Sequence, residues 1–288
     1  MFISDNGTFK EKYLIDLLEH EIMFEENGHS NDLLLKAERI VKSPGIPEKA
    51  PIVQLARQEE IEIISEIEFA ARHSNANIVA VTGSNGKTTT TQLTYEIFKN
   101  AGKNVVMAGN IGNSFAREVA ISNPDIFILE ISSFQLDDIV EFTPDVSILM
   151  NITPDHLDRY ENNIDNYTRS KFRITKNQSS EHHFIYCADD ETISNYLDKN
   201  NIKAKSHPFT ITNDKNMEGF IDDNQLIITT NKNQFSMSIY ELALQGKHNY
   251  YNGLAAGIAS RIFEIKNETI RDSLKNFAGL EHRMEQIG

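Results

Sequence analysis

From the first residue, short apolar runs alternate with longer segments of helical period, and Gly, Pro and Asn punctuate them, as in stacked β-α units. Phe2-Ile3-Ser4 reads as a strand, residues 10–19 as a helix, 21–25 as a strand and 30–37 as a helix. Arg39-Ile40-Val41-Lys42-Ser43 reads as a strand stopped by Pro44-Gly45. A further strand, Glu60-Ile61-Glu62-Ile63-Ile64, precedes a helix opened by Ser65 with Glu68 three residues on, a capping box whose side chains satisfy free amides. Asn75-Ala76-Asn77 then reads as a linker.

A second unit begins at Ile78-Val79-Ala80-Val81-Thr82, a nearly all-apolar run suited to a parallel strand buried on both faces. Similar strands are predicted at Asn104–Ala108, Asp125–Ile131 and Asp145–Met150, each followed by a polar loop and most by a helix. Residues 203–240 alternate apolar with Asn and Thr, which predicts antiparallel hairpins at the sheet edge. Helices are predicted at about 248–264 and 268–277. The pattern specifies an α/β fold with a mostly parallel sheet and an antiparallel edge. Both ends read as cut. The chain opens directly on a strand, and Arg283-Met284-Glu285-Gln286-Ile287-Gly288 closes it as if entering another.

Length and charge narrow the function classes. At 288 residues the chain holds about two domains of the usual size of roughly 150 residues. Its 28 Lys and Arg against 42 Asp and Glu give 28 − 42 = −14, which repels polyanions and disfavours a general nucleic-acid binder. Any anionic ligand must be met by local charge. No stretch approaches the roughly 18 apolar residues of a membrane span, and MFISDNGTFKEK lacks the apolar core of a signal peptide, which predicts a cytoplasmic protein. Cys187 is the only cysteine, so no intrachain disulfide forms.

The sharpest motif is Gly83-Ser84-Asn85-Gly86-Lys87-Thr88-Thr89, between an apolar strand and a helical segment. Such a loop turns successive amides toward phosphate oxygens, the helix adds its positive N-terminus, and Lys87 adds a full charge. Thr88 is placed to ligate Mg²⁺. Two residues separate the glycines, where the common nucleotide loop has four. Glu130 closes the run Ile126-Phe127-Ile128-Leu129, where a carboxylate can face a bound cation or simply stand in solvent. Asn151-Ile152-Thr153-Pro154-Asp155-His156-Leu157-Asp158-Arg159-Tyr160 crowds polar groups into the loop after another strand. There His156 suits a metal or substrate contact, while Asp158 and Arg159 suit a helix cap and surface. Gln245-Gly246-Lys247-His248-Asn249-Tyr250-Tyr251-Asn252 opens an Ala- and Gly-rich helix whose Asn side chains either reach a base or ribose or cap the helix. His182, His183 and Cys187 show no ligand spacing and read as structural or surface residues.

In this order the motifs resemble those of the Mur ligase family, ATP-dependent amide-forming enzymes of peptidoglycan precursor synthesis. Ser43-Pro44-Gly45-Ile46, Gly109-Asn110-Ile111-Gly112, Glu130-Ile131-Ser132-Ser133-Phe134-Gln135-Leu136, Asp155-His156-Leu157-Asp158-Arg159-Tyr160 and Gly279-Leu280-Glu281-His282-Arg283 look most like the member that adds D-glutamate to UDP-N-acetylmuramoyl-L-alanine. The resemblance implies that Gly83, Ser84, Asn85, Gly86, Lys87, Thr88 and Thr89 hold the ATP phosphates. It implies that Thr88 and Glu130 hold one Mg²⁺, and that Asn110, Ser132 and His156 meet the muramoyl substrate, His156 also meeting a second Mg²⁺. Lys171 matches the family's carbamylated lysine, itself a metal ligand in that form, although from the residues alone it would pass as a solvated helix lysine. His248, Asn249, Asn252 and Arg283 match positions near the nucleotide.

The resemblance further implies a monomer with three domains. Of these the chain would carry a partial Rossmann-like UDP-substrate domain lacking its first β-α unit (1–75), a P-loop central ATPase domain (76–280) and the start of a linker (281–288). On that basis the chain is expected to bind ATP·Mg²⁺ weakly and not to complete amide synthesis alone. A non-catalytic nucleotide-binding module and a folylpolyglutamate-type ligase are the competing readings.

Overall fold

The computed structural model describes residues 1–230 and 233–278, which form two compact units, Met1–Ser65 and the remainder from Glu66. The first unit runs β1 (Phe2–Ser4), α1 (Glu11–Glu19), β2 (Met23–Glu25), α2 (Asn31–Leu34), β3 (Arg39–Lys42), α3 (Pro51–Gln58) and β4 (Glu62–Ser65). β1 pairs with β2 and β3 with β4, both in parallel, so α1 and α3 serve as crossovers. The sequence pattern does not announce α3, because Pro47 and Pro51 look like breakers. Pro51 instead occupies the first helical turn, where a missing N–H costs nothing, and Val53 and Ala56 are buried against Ile63.

The second unit runs α4 (Glu66–Ala71), β5 (Asn77–Thr82), α5 (Lys87–Asn100), β6 (Val105–Gly109), α6 (Phe115–Ile121), β7 (Ile126–Glu130), α7 (Ser133–Asp137) and β8 (Val146–Leu149). It continues through α8 (Ile164–Phe172), β9 (His183–Cys187), α9 (Glu191–Leu197), β10 (Lys205–Phe209), β11 (Gly219–Asp222), β12 (Gln225–Thr230), β13 (Asn233–Ser238), α10 (Lys247–Ile262) and α11 (Asn267–Asn276). Its strands form one sheet in the order β13-β12-β11-β10-β9-β8-β5-β7-β6. Alternate residues of β5 enter opposite cores: Val79 and Val81 pack with Leu93, Ile97, Leu254 and Ile258, while Ile78 and Ala80 pack with Phe115, Phe127 and Leu129. The all-apolar run read from the sequence is thus a strand covered on both faces.

Two expectations change. Residues 203–240 are not all antiparallel, since β10 runs parallel to β9 over five residue pairs, and only β11-β12-β13 form an antiparallel meander. His183 and Cys187, read as structural or surface residues, are structural: both lie in strand β9, where Cys187 is buried beside the fully buried Phe184 and Ile185. The second compact unit starts at Glu66 rather than after residue 75, because Ile67 and Ala70 are buried with Phe115 and Phe127. Glu68 reaches past its own helix: its Oε2 accepts from the amides of Val140, Glu141 and Phe142, and its Oε1 from Arg72. Those bonds pull its pKa down against the opposing effect of burial. Among the described residues no helix is long and apolar enough to cross a membrane.

At the β9–β10 edge, His183 Nδ1 lies 2.7 Å from His207 Nε2, and the other ring nitrogen of His207 meets the Glu218 carboxylate. Burial, and after it the neighbouring His207, pushes His183 down to about 4. The unfolded chain therefore holds the extra proton between the ordinary imidazole value of 6.5 and about 4, so stability falls as pH falls through that window. Melting temperatures of the wild type should drop across it more steeply than those of His183→Gln. Parallel curves would contradict this account of the edge.

Candidate functional site

The carboxyl ends of β5, β6, β7 and β8 open on one edge of the sheet, and β5 lies between β7 and β8, so the chain departs to either side of it. Ligands of open α/β sheets collect at such a reversal. The loop after β5 is the glycine-rich motif. α5 begins at Lys87, so its first-turn amides have no intrahelical acceptor and face the loop mouth. Gly86 has φ +80°, and a Cβ there would lie 2.7 Å from Asn252 Oδ1, so the glycine both makes the turn and admits α10. Thr90 Oγ1 donates to the same Asn252 oxygen at 3.1 Å, and Asn252 Nδ2 donates to Asn249 Oδ1 at 3.1 Å. Asn249 and Asn252 thus form a polar chain against the phosphate-type loop, while His248 is exposed.

Lys87 turns back on its own loop, donating to Gly83 O at 2.9 Å and Ser84 O at 3.0 Å. Burial lowers its pKa, and Glu130 and Asp155 oppose the shift. Glu130, at the end of β7, is only 1% exposed. Its Oε2 accepts from Thr88 Oγ1 and its Oε1 from Asn110 Nδ2, each at 2.7 Å. Asn110 also donates its backbone N–H to Glu130 O at 2.8 Å. Gly109 makes this approach possible: with φ +107°, a Cβ would fall 2.3 Å from the Glu130 carbonyl oxygen. The solvated alternative for Glu130 is therefore excluded.

The loop after β8 closes the other side. Asn151 and Thr153 bond directly to Ser84 and Asn85, and Asp190 Oδ2 accepts from Ile152 N–H at 2.8 Å. His156 is 61% exposed at φ +49°, 3.7 Å from Asp155 Oδ1 and beside the Phe134 ring. Arg159 lies over the same ring, its guanidinium carbon 4.5 Å from the centroid. Ser132 is committed locally, since its hydroxyl caps α7 in a reciprocal box with Gln135.

Lys171 departs most from its appearance in the sequence. On α8, it is 1% exposed, donates to Gly83 O at 2.9 Å and lies over the Tyr167 ring. One carbonyl oxygen thus receives two lysines. Burial, and behind it the Lys87 ammonium, pushes Lys171 down to about 7, with Asp155 and Asp137 opposing. Arg283 lies outside the described residues.

The structure therefore gathers Gly83 to Thr89, Asn110, Glu130, Lys171, Asn249 and Asn252 around one edge, with His156 on its rim. Sequence reading overlooked Thr90, Gly109, Asn151 as a site residue, and Asp190. Gly109 and Asn151 stood inside quoted motifs without a role, and Asp190 carried a signal as an acidic pair with Asp189 just after a strand. Among the described residues no three His, Cys, Asp or Glu side chains are grouped to hold a metal unaided. Thr88 and Glu130 are hard oxygen donors, which fits Mg²⁺, a cation that usually takes one or two protein oxygens and completes its shell with phosphate and water.

Residues 81–260 match the family model described as the Mur ligase middle domain. UDP-N-acetylmuramoylalanine--D-glutamate ligase of Bacteroides fragilis is 48% identical over 286 residues, 99% of this chain and 64% of that protein. The proteins of the same name from Christiangramia forsetii and Salinibacter ruber are 45% and 38% identical over the whole chain, again across 64% of their own length. The chain thus spans about two-thirds or slightly less, 64%, of these relatives. Among solved structures, a murein peptide ligase from Psychrobacter arcticus superposes with TM-score 0.62 at 19% identity, covering 100% of this chain and 65% of that one. A UDP-N-acetylmuramate:L-alanyl-gamma-D-glutamyl-meso-diaminopimelate ligase from Neisseria meningitides gives TM-score 0.64 at 18% identity, covering 96% and 90%. At those identities the structures support the fold alone.

The buried amine of Lys171 carries its own test. An unfolded lysine titrates near 10.5, so the unfolded chain holds more protons than the folded one from about pH 7 upward, and stability rises with pH over that window. Urea midpoints should increase from pH 7 to about 9.5 more in the wild type than in Lys171→Met. An equal increase in both would contradict a buried, proton-shedding lysine.

Proposed function

The chain belongs to the Mur ligase family, and from that premise we propose that it forms the ATP-binding part of a UDP-N-acetylmuramoylalanine--D-glutamate ligase. The observation that carries the chemistry is the meeting of Thr88 and Glu130 at 2.7 Å beside the amides that open α5. The likeness to relatives of that name across the whole chain favours the D-glutamate member.

In this reading the first-turn amides of α5 and Lys87 bind the ATP phosphates, Lys87 exchanging its loop carbonyls for phosphate oxygens. Asn249, Asn252, His248 and Arg283 approach the nucleoside. Thr88 and Glu130 would hold one Mg²⁺, and His156 and Asn110 would serve the muramoyl substrate and a second. Bound Mg²⁺ supplies charge neutralisation between a triphosphate and a carboxylate that otherwise repel. The carboxylate oxygen of UDP-N-acetylmuramoyl-L-alanine takes the γ-phosphoryl group and ADP leaves. The D-glutamate amine then attacks the acyl carbon, and phosphate departs as the nitrogen loses a proton. The chain's residues align the reactants and fix charge around them.

Lys171 fits the same reading. An amine held near 7 is substantially neutral at physiological pH, and a neutral amine adds to CO₂ with loss of one proton. The resulting carbamate is anionic, which suits a position beside the Lys87 ammonium, and it would be able to ligate a cation. The unit Met1–Ser65 serves the UDP substrate and the unit from Glu66 serves ATP. A UDP-linked, ATP-dependent reaction of this kind belongs in the cytoplasm on this reading.

Calorimetric titration tests the reading. Mg·ATP should bind the 288-residue chain, and Lys87→Ala should weaken it by about 10- to 100-fold, the worth of a charged hydrogen-bond donor to phosphate. With Mg·ADP present, UDP-N-acetylmuramoyl-L-alanine should bind more tightly than UDP-N-acetylmuramate or the dipeptide form. Equal binding of the three would contradict the assigned substrate, and unaltered ATP affinity in Lys87→Ala would contradict the site.

A further inference from the structure

The short spacing between Gly83 and Gly86 leaves two residues, Ser84 and Asn85, and neither offers its amide to the loop mouth. Ser84 N–H donates to Asn151 O at 2.9 Å, and Asn85 N–H donates to Asn151 Oδ1 at 2.8 Å. Asn151 Nδ2 returns a bond to Asn85 O at 3.0 Å, so one side-chain amide matches one backbone unit in both directions. Ser84 Oγ donates to Thr153 O at 2.9 Å and accepts from Thr153 N–H at 3.0 Å, and Asn85 Nδ2 donates to Thr153 Oγ1 at 3.3 Å. Ser84 is buried, and the Tyr167 hydroxyl lies 3.2 Å from its Oγ. Gly83 is packed equally closely, since a Cβ there would sit 3.0 Å from Met150 Cβ and 3.3 Å from Asn151 N.

We propose that Asn151 and Ser84 are positioning residues that fasten the phosphate-binding loop to the segment carrying Asp155 and His156, so that the nucleotide and acceptor sides of the site move as one body. What the loop holds rests on the function proposed above; the fastening is a property of the ligand-free chain. Its physical basis is the count of directional bonds. Six link residues 84–85 to 151–153, and the two amides they consume leave phosphate to the amides that open α5. Because coupling between sites is reciprocal, a ligand that orders the loop also orders residues 152–157, which lie beyond the phosphate-binding amides.

Hydrogen exchange on the 288-residue chain, with and without Mg·ADP, separates the two layers. In the ligand-free chain, Asn151→Ala should speed exchange of the Asn85 amide, whose acceptor is the Asn151 side chain, about tenfold or more, and Ser84→Ala that of the Thr153 amide, while β8 and α8 exchange as in the wild type. Unchanged exchange at both amides overturns the fastening, whatever the nucleotide does. In the wild type, Mg·ADP should slow exchange in 152–157 as well as in 83–90, and Asn151→Ala should lose the first effect and bind about tenfold more weakly. Asn151→Asp keeps an acceptor for Asn85 N–H and should recover part of both. Protection confined to 83–90 in the wild type overturns the coupling. No protection anywhere in the wild type counts against the nucleotide reading, and the ligand-free comparison still decides the fastening.

Discussion

A carboxylate sealed from water at the end of a central strand must be met by donors or by a cation, and the site is organised around meeting that demand at Glu130. Its two oxygens are taken by Thr88 from the phosphate-type loop and by Asn110 from the loop after β6. Each bond requires a fixed relation between strands. The β6–β7 register sets Gly109 beside Glu130, and only a residue without a Cβ allows Asn110 to turn over the strand end. The β5–β7 register sets Val81 beside Glu130, which brings the start of α5 within reach. Two neutral donors are modest compensation for a buried charge, and a divalent cation beside Thr88 would complete it.

The net charge of −14 belongs to the chain as a whole and not to this edge. Here the N-terminus of α5, Lys87 and Lys171 converge, and the two lysines share the Gly83 carbonyl. Burial, and after it the Lys87 ammonium, lowers the Lys171 pKa to about 7. Positive potential at this edge thus rests on Lys87 and the N-terminus of α5, while the chain as a whole stays acidic.

The sequence made the strands with strong local signals legible. β5 is a long apolar run, α5 follows a glycine turn, and Glu130 ends a run of four apolar residues. What escaped reading depends on partners distant in sequence. Lys171 looks like a surface lysine because nothing near it foretells that α8 will be laid under Gly83. Asn151 becomes a clamp only because β8 pairs with β5 and brings residue 151 beside residue 85. Glu68 suggests a local cap, yet it accepts three amides more than seventy positions away. β10 carries the alternation of a hairpin strand but pairs in parallel with β9, and a pattern of period two is silent on direction.

The dependence on Glu130 is measured most directly by the effect of Mg²⁺ on ADP affinity in the wild type and in Glu130→Gln. The glutamine keeps the volume and an oxygen acceptor for Thr88 while removing the charge. The account predicts that Mg²⁺ tightens ADP binding to the wild type and that Glu130→Gln loses most of that enhancement while its affinity for metal-free ADP is unchanged or improved. A full Mg²⁺ enhancement in Glu130→Gln would contradict it.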